Sequence, residues 1–210
     1  MGGERTGKMP HKFDPREAGR LFSEERRSWQ PPEVAVTALG LRPGEVVADL
    51  GCGPGYFTRA LARAVGAEGK VYAVDLSPEM LERLRETLGE KESGPGEAPV
   101  EIFLSGERSV PLPSDSVDAV LLANVLHEAE DPEGLLREAR RIVRPGGRCL
   151  VVEWRKDGPS PPGPPVEDRL EEGQVLRWAR KVGWRVAERP EVGPYHFALL
   201  LEAGIEEGER

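Results

Sequence analysis

Short apolar runs alternate along this chain with segments whose apolar residues recur every third or fourth position. Runs of the first kind predict strands buried on both faces, and segments of the second kind predict the helices that cover them. Val46–Leu50, Lys70–Asp75, Val100–Leu104 and residues 118–123 and 148–154 are the strands that alternate with helices. Helices are expected over residues 33–39, closed by Gly40, and over residues 56–65, ended by Gly66. Ser77-Pro78 start another, with Leu81, Leu84 and Leu88 on one face, and Asp131-Pro132 start one that runs to about Val143. A final helix near residues 170–182 precedes two strands, 184–188 and 196–202, joined closely enough for antiparallel pairing. The pattern predicts an α/β fold, a single doubly wound, mostly parallel sheet of seven strands with the last strand antiparallel.

The chain before this alternation reads differently. Residues 1–12 are polar and glycine-rich, as a flexible arm would be. Asp14-Pro15-Arg16-Glu17 supplies a capping oxygen, a proline at the first helical position and a glutamate at the capping-box position. A short helix should start there, with Leu21 and Phe22 as its apolar contacts, and Pro31-Pro32 should break the chain. This divides the sequence into an arm with short lid helices (residues 1–33) and a domain (residues 34–210). Residues 157–165 carry too much proline for a helix or a central strand and suit a linker or a cover over a cleft.

The candidate chemistry begins at Asp49-Leu50-Gly51-Cys52-Gly53-Pro54-Gly55. A strand, a glycine turn and a helix start make a nucleotide cradle, where backbone N–H groups can reach a ligand carboxylate or phosphate. The spacing is G-x-G-x-G, not the G-x-G-x-x-G of dinucleotide sites. Asp75 ends the next strand, where a carboxylate can accept hydrogen bonds from both hydroxyls of a ribose. With this acid in place the chain resembles the class I S-adenosylmethionine-dependent methyltransferases. In subtype it resembles the small-molecule enzymes related to quinone biosynthesis. The likeness extends through Pro111-Leu112-Pro113 and the Arg144-Pro145-Gly146-Gly147 turn.

The resemblance implies a Rossmann-like sheet, S-adenosylmethionine as cofactor and a set of cofactor-binding residues. Asp49 would meet the methionine ammonium, directly or through water; Gly51, Gly53 and Gly55 would form the turn; Asp75 would hold the ribose. Leu76 and Met80 would pack on the adenosine or simply belong to the core. Gly106 stands where the family often has an aspartate for the adenine amino group, so Glu107 would take over that contact. Asn124 completes the cofactor set. His127 follows in Asn124-Val125-Leu126-His127-Glu128, where the acceptor would approach, and it suits a general base near neutral pH. Glu153 and Trp154 end the fifth strand at the same edge and would line the acceptor pocket. Trp29, Phe13 and Phe22 would close an apolar lid over it.

A length of 210 residues suits one domain, and the net charge of −8 argues against a nucleic-acid partner. Arg16, Arg20, Arg26 and Arg27 form a basic cluster that reads as a solvated helix face. No apolar run is long enough to span a bilayer, and Cys52 and Cys149 make neither a disulfide framework nor a metal site. A cytoplasmic protein, monomeric or homodimeric, with a small-molecule acceptor and no metal is expected. The other readings are a catalytically silent cofactor-binding regulatory domain, or an enzyme acting on RNA or protein.

Overall fold

The computed structural model describes residues 19, 21–89, 94–106, 108–158 and 162–204. Seven strands form one sheet: β1 (Val46–Leu50), β2 (Lys70–Asp75), β3 (Val100–Leu104), β4 (Val117–Ala123), β5 (Val143–Trp154), β6 (Trp184–Glu188) and β7 (His196–Ala203). Their spatial order is β3-β2-β1-β4-β5-β7-β6. β1 to β5 pair in parallel, while β7 lies antiparallel between β5 and β6. The fold predicted from the periodicity is the one found.

Among the described residues six α-helices flank the sheet: α1 (Glu24–Trp29), α2 (Pro32–Leu39), α3 (Thr58–Val65), α4 (Pro78–Leu88), α5 (Pro132–Ile142) and α6 (Glu172–Lys181). Alternate residues of each strand serve opposite cores. Val47, Val71, Ala73 and Leu121 pack with α2, α3 and α4, whereas Ala48, Leu50, Val74 and Leu122 pack with α5 and α6. Caps set the starts: the Ser77 hydroxyl accepts the Met80 N–H at 3.2 Å, and the Asp131 carboxylate accepts that of Gly134 at 2.8 Å.

One strand boundary differs from expectation, and one helix was not foreseen. The helix expected from Asp14 falls outside the described residues, as do residues 1–12 and Phe13. What the described chain contains is α1, capped by Ser23, whose hydroxyl accepts the Arg26 N–H at 3.2 Å. β5 also begins earlier than residue 148. Val143 already pairs with Val117, the chain detours through Gly146 at a φ of 77°, and pairing resumes between Ala119 and Arg148. Gly147 permits the detour, because a Cβ there would lie 2.7 Å from the Asp118 carbonyl oxygen.

Candidate functional site

Strands β1 and β4 are neighbours, but the chain leaves β1 towards β2 and leaves β4 towards β5. A crevice therefore opens between the loops that follow them. Gly51, Gly53 and Gly55 line its start with φ angles of 73°, 53° and 95°. A Cβ on Gly51 would fall 2.5 Å from Val125 Cγ2, and one on Gly55 2.4 Å from Leu84 Cδ1; Gly53 faces open space. The N–H groups of Gly51 and Cys52 both donate to the Val74 carbonyl, at 2.7 and 3.1 Å. That of Gly53 donates to Asp75 Oδ2 at 2.8 Å. The donors expected to reach a carboxylate or phosphate are thus spent inside the turn. What the turn offers a ligand suits a cation better than a pyrophosphate.

Two carboxylates flank this turn. Asp49 is 2% exposed, and its recorded hydrogen bond comes from the Thr58 hydroxyl at 2.7 Å. Burial pushes its pKa up to about 7, against the pull of Thr58 and with a further push from the Asp75 charge. Asp75 takes the Ser77 N–H on Oδ1 at 2.9 Å and the Gly53 N–H on Oδ2. Burial raises its pKa too, opposed by these backbone donors. Each oxygen keeps a lone pair for a hydroxyl. Beside it, Leu76 (43% exposed) and Leu104 (56%) present an apolar rim, and Leu104 is in register with Asp75. Met80 instead is buried in the core. Glu107 falls outside the described residues.

Across the crevice the rim is built differently. Glu153, buried at the end of β5, accepts the Leu126 N–H on Oε1 at 2.7 Å, and its Oε2 lies 2.9 Å from His127 Nδ1. That contact assigns the proton to Nδ1 and leaves Nε2 without it; the nearest carboxylate at Nε2 is Glu128, at 3.6 Å. Burial works against a charge on His127, but Glu153, with Glu128 and Asp168, outweighs it and raises the pKa. The orienting acid is therefore Glu153, reached across 26 residues of sequence, more than the adjacent Glu128.

The segment ahead of β1 closes this half. Gln30, 2% exposed, receives Arg26 on Oε1 at 3.1 and 3.0 Å and Asn124 Nδ2 at 3.2 Å; its Nε2 lies 3.2 Å from His196 Nε2. Its carbonyl accepts the Tyr56 hydroxyl at 2.7 Å. Trp29 packs on Trp154 and on Tyr195, each at 5.5 Å between centroids, and stacks on His196 at 5.8 Å. Phe22 lies 6.0 Å from Tyr56. Arg169 donates to the carbonyls of Pro162 and Pro164, at 3.0 Å each, and so ties the proline-rich segment down. Gly163 lies against the Trp154 ring, from which a Cβ would stand 2.6 Å away.

Several site residues escaped the sequence. Arg26 is not on a solvated face: it is 8% exposed, with its guanidinium 4.0 Å over the Tyr56 ring, whereas Arg27 is exposed and paired with Glu33. His196, which opens β7, is buried; desolvation, with Arg26, Arg169 and His127 nearby, lowers its pKa to about 3. Asn124 sits at a φ of 60° and bonds the N-terminal segment, while its buried Oδ1 has no partner among the described residues. Trp29 Nε1 and His196 Nδ1 are likewise buried with no partner among them. A cavity of about 520 Å³ lies away from the glycine turn, lined by Arg155, Arg189, Glu172 and His196 among others. Charge placement and the glycine geometry locate the candidate site at the crevice, not there.

The residues fit S-adenosylmethionine. Asp49, a buried acid with no cation beside it among the described residues, could accept an ammonium, Asp75 has acceptor capacity left for ribose hydroxyls, and the two exposed leucines could pack on a flat apolar base. A family model described as a methyltransferase domain matches residues 48–151. The crystal structure of a SAM-dependent methyltransferase from Aquifex aeolicus is 32% identical with a TM-score of 0.83, covering 91% of this chain and 99% of that one. A ubiquinone/menaquinone biosynthesis C-methyltransferase from Hahella chejuensis is 36% identical over 130 residues, 62% of this chain and 50% of that protein. An uncharacterized 37.1 kDa protein in transposon TN4556 of Streptomyces fradiae is 36% identical over 173 residues, 82% of this chain and 46% of that protein. The chain spans about half the length of the curated relatives it matches. With a sheet and a cofactor crevice of this form, and an Aquifex relative matched almost end to end, the chain belongs to the class I S-adenosylmethionine-dependent methyltransferase family.

Proposed function

We propose that this chain moves the methyl group of S-adenosylmethionine onto a small-molecule acceptor. The observation that carries the reading is the glycine turn with its N–H groups spent and Asp49 buried beside it, a setting that favours a cation and disfavours a dinucleotide phosphate. Asp49, the turn at Gly51, Gly53 and Gly55, Asp75 and Leu76 hold the cofactor in this reading. Glu107 remains assigned to its adenine side and Asn124 to the cofactor-binding set. Bound there, the cofactor supplies a sulfonium methyl that is already electrophilic.

The protein's own contribution is orientation, which can supply roughly 7–11 kcal/mol, and proton removal. His127, held by Glu153, would take on Nε2 the proton that an acceptor hydroxyl, amine or thiol gives up. The aromatic wall of Trp29, Trp154 and Tyr195 supports a small, partly apolar acceptor, and the net charge of −8 disfavours a nucleic acid. The segment ahead of β1 acts as the lid. Among the described residues no helix is long and apolar enough to cross a membrane, and we place the chain in the cytoplasm as a monomer or homodimer.

Incubating the chain with methyl-labelled cofactor and a fractionated cell extract tests this. Label should enter a small-molecule fraction, where mass analysis identifies the product. Label in RNA or protein alone overturns the acceptor class. Cofactor binding with no labelled product in any fraction would instead mark a silent binding domain.

A further inference from the structure

We propose that Arg26 and Asp49 form a two-ended clamp on the amino-acid group of the cofactor, Arg26 taking its carboxylate and Asp49 its ammonium. The inference rests on the cofactor assigned above and adds a residue that lies outside the matched methyltransferase domain.

Arg26 is a buried cation that lacks an acid. Among the described residues no carboxylate pairs with it; its hydrogen bonds go to Gln30 Oε1, from Nε and Nη2, and to the Leu21 carbonyl, from Nη1 at 3.5 Å. A guanidinium has five N–H donors, so these three bonds leave one on each terminal nitrogen. That is the paired geometry a carboxylate accepts. Desolvating a cation without compensation costs several kcal/mol, and burial lowers the Arg26 pKa to about 10.

Asp49 has the opposite deficit, a buried carboxyl group whose hydrogen-bond partner is a neutral hydroxyl, so that its charge has no cation to meet. The two sit on either side of one short segment. Arg26 lies 4.0 Å over the Tyr56 ring and 5.8 Å from that of Phe57, and Asp49 is bonded to Thr58, the next residue. No ion pair joins them. A ligand group with one positive and one negative end satisfies both deficits, whereas a dinucleotide phosphate would satisfy only Arg26 and repel Asp49. Tyr56 and Gln30 position Arg26: the tyrosine ring carries it, and the tyrosine hydroxyl and the Arg26 donors bind the two ends of the same glutamine.

Calorimetry with three ligands tests the clamp: S-adenosylhomocysteine, its decarboxylated analogue, and 5′-methylthioadenosine, which lacks the amino-acid group. The wild-type chain should bind S-adenosylhomocysteine about 10- to 100-fold more tightly than the decarboxylated analogue. Arg26→Met should erase that difference and leave the affinity for 5′-methylthioadenosine unchanged. Arg26→Lys, which keeps charge without the fork, should fall between. Without ligand, Arg26→Met should melt no lower than wild type, because an apolar side chain replaces an uncompensated charge.

Equal wild-type affinities for S-adenosylhomocysteine and its decarboxylated analogue overturn the clamp, and that comparison needs no variant. So does an Arg26→Met chain that loses 5′-methylthioadenosine as severely as the other ligands, since Arg26 would then be structural. A wild-type chain that binds none of the three removes the cofactor itself, and the clamp with it.

Discussion

The two halves of the crevice solve different problems with different materials. On the β1–β2 side the frame is backbone: three glycines at positive φ, a turn closed on the Val74 carbonyl, and one carboxylate, Asp75, that also holds the turn. That side is open, with Leu76 and Leu104 exposed at its edge. On the β4–β5–β7 side the frame is side chains drawn from Gln30, Asn124, His127, Glu153 and His196, and it is closed. In the proposed function the backbone-built half holds most of the cofactor, whose shape is fixed. The other half meets the acceptor, with a wall that can change one side chain at a time because distant loops supply it.

The largest effect that would test this division is expected at Gly51. Gly51→Ala puts a Cβ 2.5 Å from Val125 Cγ2 at a φ of 73°. Left-handed backbone costs a non-glycine residue roughly 1–2 kcal/mol and overpacking about 1–3 more. No heat should be detected with S-adenosylhomocysteine at concentrations that saturate the wild type. Gly53→Ala, where the space is open, should lose far less. Equal losses would show that conformation alone, not the contact with the β4 loop, shapes the turn.

Asp75→Ala should come next, weakening S-adenosylhomocysteine about 100-fold, the worth of two hydrogen bonds to a charged acceptor at roughly 1.5 kcal/mol each. The bonds from Gly53 and Ser77 add a second consequence: the ligand-free variant should also melt several degrees lower, because two backbone donors lose their acceptor. Lost affinity with an unchanged melting temperature would mean that the turn holds itself.

A third, smaller effect is one of pH. Asp49 faces the Thr58 hydroxyl, the Asp75 carboxylate and the neutral Cys52 thiol, and it keeps its proton to about 7 in the ligand-free fold. Only the ionised form attracts the ligand ammonium, so affinity for S-adenosylhomocysteine should fall roughly 10-fold between pH 7.5 and pH 6. 5′-Methylthioadenosine, which has no ammonium, should show no such slope. Stability moves in the other direction. The unfolded chain releases this proton near pH 4 while the folded chain retains it to about 7, so the Asp49 contribution falls as pH rises through that window. Asp49→Asn should flatten both dependences.

The same division explains what could be read in advance. Strand positions came from runs of apolar residues that serve both cores, as in Val46–Leu50 and Lys70–Asp75, and the glycine turn came from its own spacing. These signals are local. Arg26 misled because three neighbouring arginines suggested a solvated face. Its burial depends on Tyr56, 30 residues later, and the Glu24–Trp29 helix had only Ser23 to announce it. His196 gave no signal at all, since its stacking on Trp29 and Trp154 joins opposite ends of the chain. Glu153 was legible as a rim residue, but its bond to His127 required the register of β4 against β5.

The smallest expected change in cofactor affinity belongs to His127, and it is the sharpest test of the division. His127→Ala should bind S-adenosylhomocysteine within about twofold of wild type while transfer to the acceptor slows about 100-fold or more, the usual worth of a positioned base. A side chain that merely packs would cost stability and spare the rate. Glu153→Gln separates the roles further. Burial opposes charge on His127, and Glu153 is the foremost group offsetting it, so the variant's imidazole pKa, followed by NMR, should drop. With the neutral ring as the proposed base, activity should fail as pH falls through that pKa, and in Glu153→Gln the acidic limb should move to lower pH. If the limb stays in place while the ring's titration shifts, the proton leaves the acceptor by another route and the closed half of the crevice only holds its substrate.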